Sequence, residues 1–244
     1  MRIEPRPLET ARFGVPFAAL VVPVADPERL GTLLKAADES GTRAISARVE
    51  SVSTNLVYLL EEAGFRLMDT LVTYSRALSG EYRQEPLPTG LRLSPGRESD
   101  ADDVAAVAAS AFKDYLGRYH ADPRLDRRAA DEAYIDWARR LVAGKSSDAI
   151  ILCGLAEERL IGFIAGSSAS GGSSEIILNA VHKDFESHGF YSALLSRYLA
   201  EAAARGDGLV RISTQLRNSR VQGVWSRHGF RLTQGHYTFH RWVD

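Results

Sequence analysis

The chain has 244 residues, a formal net charge of −1, 45% hydrophobic residues and a single cysteine. That length can bury one sizeable core or two smaller ones. The near-neutral charge leaves no electrostatic footprint for nucleic acid or an anionic membrane, and the lone Cys153 excludes an internal disulfide.

From the N-terminus, an apolar run over residues 17–24 is far shorter than the ~20 residues of a membrane span, is preceded by Pro16 and is broken by Pro23. It reads as a strand, and the expectation is a cytoplasmic protein without membrane contact. A helix (27–40), a strand (43–49), a helix (54–63) and a strand (66–78) follow. Gly80, Pro86, Pro88 and Gly90 interrupt a polar stretch over residues 79–90, which predicts a boundary. Beyond it come a strand, a helix (101–112), an insert (115–126), a helix (127–143) and strands at 149–156 and 160–167. Cys153 lies in an apolar run and reads as a small buried hydrophobe. The alternation of strands and helices predicts an α/β fold.

The C-terminal third carries the chemistry. A strand over 176–181 runs into Glu186-Ser187-His188-Gly189-Phe190-Tyr191 and then a helix with apolar residues at Tyr191, Leu194, Leu195, Tyr198, Leu199 and Ala202. A strand that stops at a glycine turn and opens a helix leaves backbone N–H groups at the positive end of a macrodipole, a cradle for a pyrophosphate. A strand at 209–215, a short helix led by Asn218 and ending at His228-Gly229-Phe230, and a last strand over 235–243 close the chain. Leu59 to Leu67 echoes Val224 to Leu232, with Gly64 and Gly229 each just past a helix and Phe65 and Phe230 returning to the core. Two independent caps and a half-sized internal copy both fit that echo.

This order resembles the GNAT acyltransferase superfamily. Ser213-Thr214-Gln215, Asn218, Trp225, Gly229-Phe230 and Tyr237 to Trp242, with Arg118 to Leu125 upstream, are similar to the branch typified by dTDP-fucosamine acetyltransferase, which acylates amino groups of nucleotide-linked deoxysugars. The resemblance implies a mixed, mostly antiparallel central sheet flanked by helices, with a catalytic GNAT domain over 91–244, a linker over 81–90 and a degenerate GNAT-like domain over 1–80. It implies acetyl-CoA, or another short acyl-CoA, as co-substrate and no metal. The cofactor residues would be Ala180 and Val181 on the strand edge, with an N–H of one of them polarising the thioester; Glu186, Ser187, His188, Gly189, Phe190, Tyr191 and Ser192 in the cradle; and Asn218 and Trp225 along the pantetheine arm.

Departures from the pattern are visible. Glu186 stands where the superfamily has Gln or Arg and must point away from a pyrophosphate, with Lys183 and His188 to offset it. Tyr191 replaces a small residue. Trp225 replaces the tyrosine that protonates the leaving sulfur, and an indole N–H cannot deliver a proton; Tyr237 is the substitute candidate, with a core aromatic as its other reading. Asn179, which interrupts an apolar run, is a candidate for ordering the amine or a water, with a hydrogen-bonded strand asparagine as its other reading.

In the insert, Arg118, Tyr119, His120, Asp122 and Arg124 are the acceptor-binding candidates, joined by Arg127, Arg128 and Trp137 for phosphates and a base or sugar. The expected partner is a small-molecule amine, a dTDP-amino-deoxysugar in the leading reading, with no nucleic acid; a homodimer is left open. Another small amine (aminoglycoside, amino acid, peptide terminus) and a non-catalytic acyl-CoA-binding module are the alternatives.

Overall fold

A computed structural model describes residues 1–78, 86–144, 146–169 and 171–243; residues 79–85 of the expected boundary stretch, among them 81–85 of the expected linker, lie outside the described residues. The elements are β1 (Arg2–Pro5), α1 (Pro7–Phe13), β2 (Phe17–Val21), α2 (Pro27–Glu39), β3 (Ala44–Glu50), α3 (Thr54–Glu62), β4 (Arg66–Ala77), β5 (Arg92–Pro95), α4 (Ala101–Ala111), α5 (Arg127–Ala143), β6 (Ala149–Ala156), β7 (Arg159–Ala169), β8 (Ser173–Val181), α6 (Phe190–Ala204), β9 (Leu209–Gln215), α7 (Ser219–Arg227) and β10 (Arg231–Trp242). The two elements not anticipated from sequence are β1 and α1. Pro7 at the start of α1 and left-handed Gly14 at its end are its helix signals.

Among the described residues the strands form one ten-stranded sheet in the order β1-β2-β3-β10-β4-β9-β8-β7-β6-β5. Only β2/β3 and β8/β9 pair in parallel; the other neighbours are antiparallel. Alternation along β6–β8 divides the core. Ile150, Leu152 and Ile164, with Ile161 at the β6/β7 register shift, pack with α6 and Trp225 of α7. Ile151, Cys153, Phe163, Ala165, Leu178 and Ala180 face α4 and α5. A third cluster, with Leu30, Leu34, Ile45, Leu60 and Phe239, fills the N-terminal half.

The element order β2-α2-β3-α3-β4 recurs as β8-α6-β9-α7-β10, which extends the helix-cap echo into a repeat of a whole unit. The last strands of the two units are exchanged. β3 pairs with β10, β9 pairs with β4, and β4 and β10 pair with each other. Thus β4, from the N-terminal half, lies directly beside β9 of the C-terminal half.

Candidate active site

The parallel pair β8/β9 is held together only from Ser173↔Leu209 to Ile176↔Ile212. A bulge at Ile177, between the pairs Ala165↔Leu178 and Gly166↔Ile176, then turns β8 away. From 177 to 181 β8 pairs with β7 alone, and its other edge faces an open wedge. The His182 N–H donates to Ile161 on the β7 side. By strand alternation Ala180 also points its N–H to β7, whereas Asn179 and Val181 turn theirs into the wedge. Of the two residues offered for polarising a thioester, the register therefore leaves the Val181 N–H available.

The wedge runs into the cradle. Ser187 (φ +66°) and Gly189 (φ +79°) are both left-handed, and α6 begins after Gly189 with no side-chain cap on its N-terminal N–H groups. A Cβ at Gly189 would strain that backbone and approach Pro88 Cγ at 3.6 Å. Uncapped, converging N–H groups fit a pyrophosphate. Glu186 is not offset as the sequence suggests: Lys183 pairs with Asp114 at 2.5 Å, and His188 Nδ1 lies 2.7 Å from the Glu186 carbonyl oxygen. The ion partner is Arg220 on α7, which holds the Glu186 carboxylate at 2.5 Å and donates to Ser187 Oγ at 2.9 Å. Phe190 packs in the core, and Ser192 lies half-buried in the first turn of α6.

Tyr191 and Trp225 explain one another. The Trp225 indole N–H donates to the Tyr191 hydroxyl at 2.7 Å, so two departures from the superfamily pattern form one hydrogen-bonded pair. Trp225 is 1% exposed and walls the cavity rather than presenting a free donor. Asn218 precedes α7 but makes no capping bond; its amide donates to Thr214 Oγ1 at 3.1 Å. Asn218 thus stands at the N-cap position of the helix it leads without its side chain capping it.

A cavity of about 530 Å³ opens from the wedge. Asn179, Ser213, Thr214, Gln215, Asn218 and Trp225 line the cofactor side; Tyr115, Arg118, Tyr119, Tyr134 and Trp137 roof the other. Phe112 stacks on Tyr134 with centroids 5.0 Å apart, and Tyr115 meets Tyr134 edge-on at 5.1 Å. Gly117 is required there, because a Cβ would stand 2.3 Å from the Tyr134 hydroxyl. Burial pushes the Tyr115 hydroxyl up to about 12 despite its contacts with Thr214 and the Gln215 backbone. Burial likewise pushes the Cys153 thiol up to about 12, with Asp100 and Asp103 adding to the effect, and it stays an inert core group.

The insert candidates separate. Arg118 and Tyr119 reach the cavity, linked to each other at 2.6 Å and to Glu9 of α1. His120 instead bonds Asp131 at 3.0 Å and accepts from the Gly117 N–H. Asp122 accepts from Trp242 Nε1 at 2.9 Å and faces His240 Nδ1 at 2.8 Å, tying the insert to β10. Arg124 lies over the Trp242 ring, and exposed Arg128 pairs with Glu132. Tyr237 packs edge-on to Phe239 in the N-terminal core and is not brought to the cavity. Among the cavity-lining residues missed from sequence are Leu8, Glu9, Arg12, Arg48 and Leu71 of the N-terminal half and Phe112, Tyr115 and Tyr134 of the roof. Arg48, a charge set between the buried residues Ala47 and Val49 of β3, was the available signal.

A family model described as Acetyltransferase (GNAT) family matches residues 109–230, half of the 244-residue chain. The chain belongs to the GNAT acetyltransferase family. It is 31% identical over 196 residues to mycothiol acetyltransferase of Clavibacter michiganensis, covering 80% of this chain and 56% of that protein. It is 29% identical over 157 residues to the spore coat polysaccharide biosynthesis protein SpsD of Bacillus subtilis, covering 64% and 52% respectively. The chain thus spans about half the length of these relatives. In fold it is similar to a tandem GNAT protein from the clavulanic acid biosynthesis pathway (TM-score 0.68, 16% identity, 95% of this chain and 76% of that one). It is also similar to a GCN5-related N-acetyltransferase from Sphaerobacter thermophilus (TM-score 0.65, 16% identity, 93% and 73%). Among the described residues no helix is long and apolar enough to cross a membrane.

Proposed function

We propose that this GNAT chain transfers an acetyl group from acetyl-CoA to the primary amine of a small acceptor, an amino deoxysugar carried on a nucleotide. The observation that carries the transfer reading is the open edge of β8, which ends in an uncapped cradle and faces an aromatic-roofed cavity. The main-chain N–H groups around Gly189 hold the diphosphate, the outward main-chain groups of Asn179 and the Val181 carbonyl pair with the pantetheine amides as an added strand would, and the Val181 N–H polarises the thioester carbonyl. Asn179 and Trp225 border the reacting end, and direct attack by the amine needs no enzyme nucleophile.

The acceptor class rests on chemistry at the far end of the cavity, where Arg118 and Arg48 stand among Tyr115, Tyr119 and Trp137: cations for phosphates and rings for a base or sugar. The names of the relatives, a polysaccharide biosynthesis protein and a mycothiol acetyltransferase, support a small-molecule acceptor.

The test is thiol release from acetyl-CoA with UDP-glucosamine, an aminoglycoside, an amino acid and a short peptide, alongside calorimetry with acetyl-CoA alone. Turnover with UDP-glucosamine above the others is expected. Acetyl-CoA binding without thiol release from any amine would leave an acyl-CoA-binding module, and no binding would overturn both readings.

A further inference from the structure

Beneath the cavity lies a polar row that the cofactor chemistry does not use. Arg48 on β3 is the register partner of Thr238 on β10, and Thr238 is the partner of Asp69 on β4. The three side chains therefore share one face of the sheet. Arg48 Nε donates to Thr238 Oγ1 at 3.3 Å. Leu71, two residues along from Asp69, faces the same way, lines the cavity and is paired with Gln215.

Asp69 is 7% exposed and Gln215 9%, and neither Asp69 Oδ1 nor Gln215 Oε1 has a hydrogen-bond partner. The Gln215 side chain hydrogen-bonds the Asp69 carboxylate, and that contact leaves one acceptor oxygen of each residue unmet at the β4/β9 edge of the cavity, where unmet acceptors are costly. A ligand group rich in N–H donors would satisfy both. Asp69 forms no ion pair among the described residues. The groups that face it are the Gln215 amide, Arg48 from β3, Arg118 from the insert and Arg217 just past β9, with Tyr115 and Tyr134 above and His236, which shares the Thr238 face of β10 and has an unpartnered Nδ1, beside it. Burial is the largest influence and raises its pKa in spite of the Gln215 amide and the three arginines, which makes it a better proton acceptor than an exposed carboxylate.

We propose that Asp69, with Gln215 Oε1, receives the acceptor's amine and takes its proton, while Arg48 and Arg118 hold the phosphates of the same acceptor. The proposal rests on the transferase reading above and names the residues that would select its acceptor. The ammonium gives one proton to the Asp69 carboxylate, and the freed nitrogen lone pair forms the C–N bond at the acetyl carbonyl carbon of acetyl-CoA. The C–S bond breaks with its electron pair leaving on sulfur, and the second amine proton ends on that thiolate. Asp69 returns its proton to water, so the sum is amide, free thiol and one proton. Across the sheet, Arg48 and Asp69 are separated by one intervening strand, roughly 10 Å at the usual strand spacing. That is room for a sugar between its amine and its phosphates.

The test uses the full chain and its Asp69→Asn variant. Calorimetry with UDP-glucosamine and UDP-glucose is expected to show the amine-bearing probe bound at least ~10-fold tighter by the wild type, as for charge-assisted contacts, and equally by Asp69→Asn. Arg48→Gln should weaken both probes alike. Thiol release with UDP-glucosamine should fall ~100-fold or more in Asp69→Asn, with acetyl-CoA affinity unchanged.

Ligand-free melting separates this from a structural role. Removing a buried carboxylate whose charge is met by no ion partner and whose Oδ1 is unpartnered should raise Tm at neutral pH. A carboxyl group whose folded pKa is raised lowers stability above that pKa, and the loss is relieved as the pH falls through it, because the folded state takes up the proton first. The Tm gain of Asp69→Asn should therefore shrink toward acid.

A lower Tm or failure to fold in Asp69→Asn would mark the carboxylate as structural and overturn the proposal, as would a retained amine preference. Binding of neither UDP probe would overturn the phosphate assignment, while acetyl-CoA binding measured in parallel reports separately on the transferase reading.

Discussion

The two parallel-strand units differ at one joint. In the N-terminal unit β2 stops at Val21, a single residue after its last pair with β3, and α2 opens with Asp26, whose carboxylate accepts the Arg29 N–H at 3.0 Å. Glu28 adds a second negative charge in that first turn. In the C-terminal unit β8 runs on to Val181 beyond its last pair with β9, and α6 opens on Gly189 with no capping side chain and no acidic residue in its first turn. One helix end is filled by its own carboxylate; the other keeps its N–H groups for a ligand. Equal topology thus gives unequal chemistry, because what the cradle needs is an end left unsatisfied.

The largest expected effect tests whether the units are separable. A chain starting at residue 91 lacks β4 and leaves β9 and β10 without the strand between them. It is expected to yield no cooperative thermal transition; a sharp melt would show that the C-terminal unit folds alone. Next, Gly189→Asp gives α6 the carboxylate that α2 has, at a left-handed position. Acetyl-CoA affinity should fall at least ~100-fold by calorimetry, from backbone strain and charge repulsion together.

Arg220→Ala should have a smaller effect. It frees the Glu186 carboxylate beside the cradle, and we expect a loss of ~10-fold in acetyl-CoA affinity that diminishes in high salt. Least of all, Asp26→Ala should lower stability by ~1 kcal/mol through the lost cap and leave acetyl-CoA binding unchanged; an affinity change would break the comparison, since it assigns no ligand to α2.

The cradle was legible in sequence because its signals are local: a strand, a left-handed glycine and an amphipathic helix within one short span. Trp225 and Tyr191 each stood out singly against the family pattern, yet their mutual hydrogen bond was invisible, since it joins α6 to α7. The insert's positive residues suggested a joint phosphate site. Of these arginines only Arg118 lines the cavity; Asp122 ties the later part of the loop to β10, where Arg124 lies over Trp242.

The sequence by itself determined the alternation of elements, the uncapped helix end and the strand before it, since each follows from backbone preferences of neighbouring residues. Only the tertiary structure decided which strand lies beside β9. That pairing joins Leu71 to Gln215 across the whole chain, and side-chain alternation within β4 is the same whatever its partner. The exchange of β4 and β10 is what sets Asp69 and Arg48 beneath the cavity, and long-range strand pairing of this kind is specified by the burial of entire faces, not by any local motif.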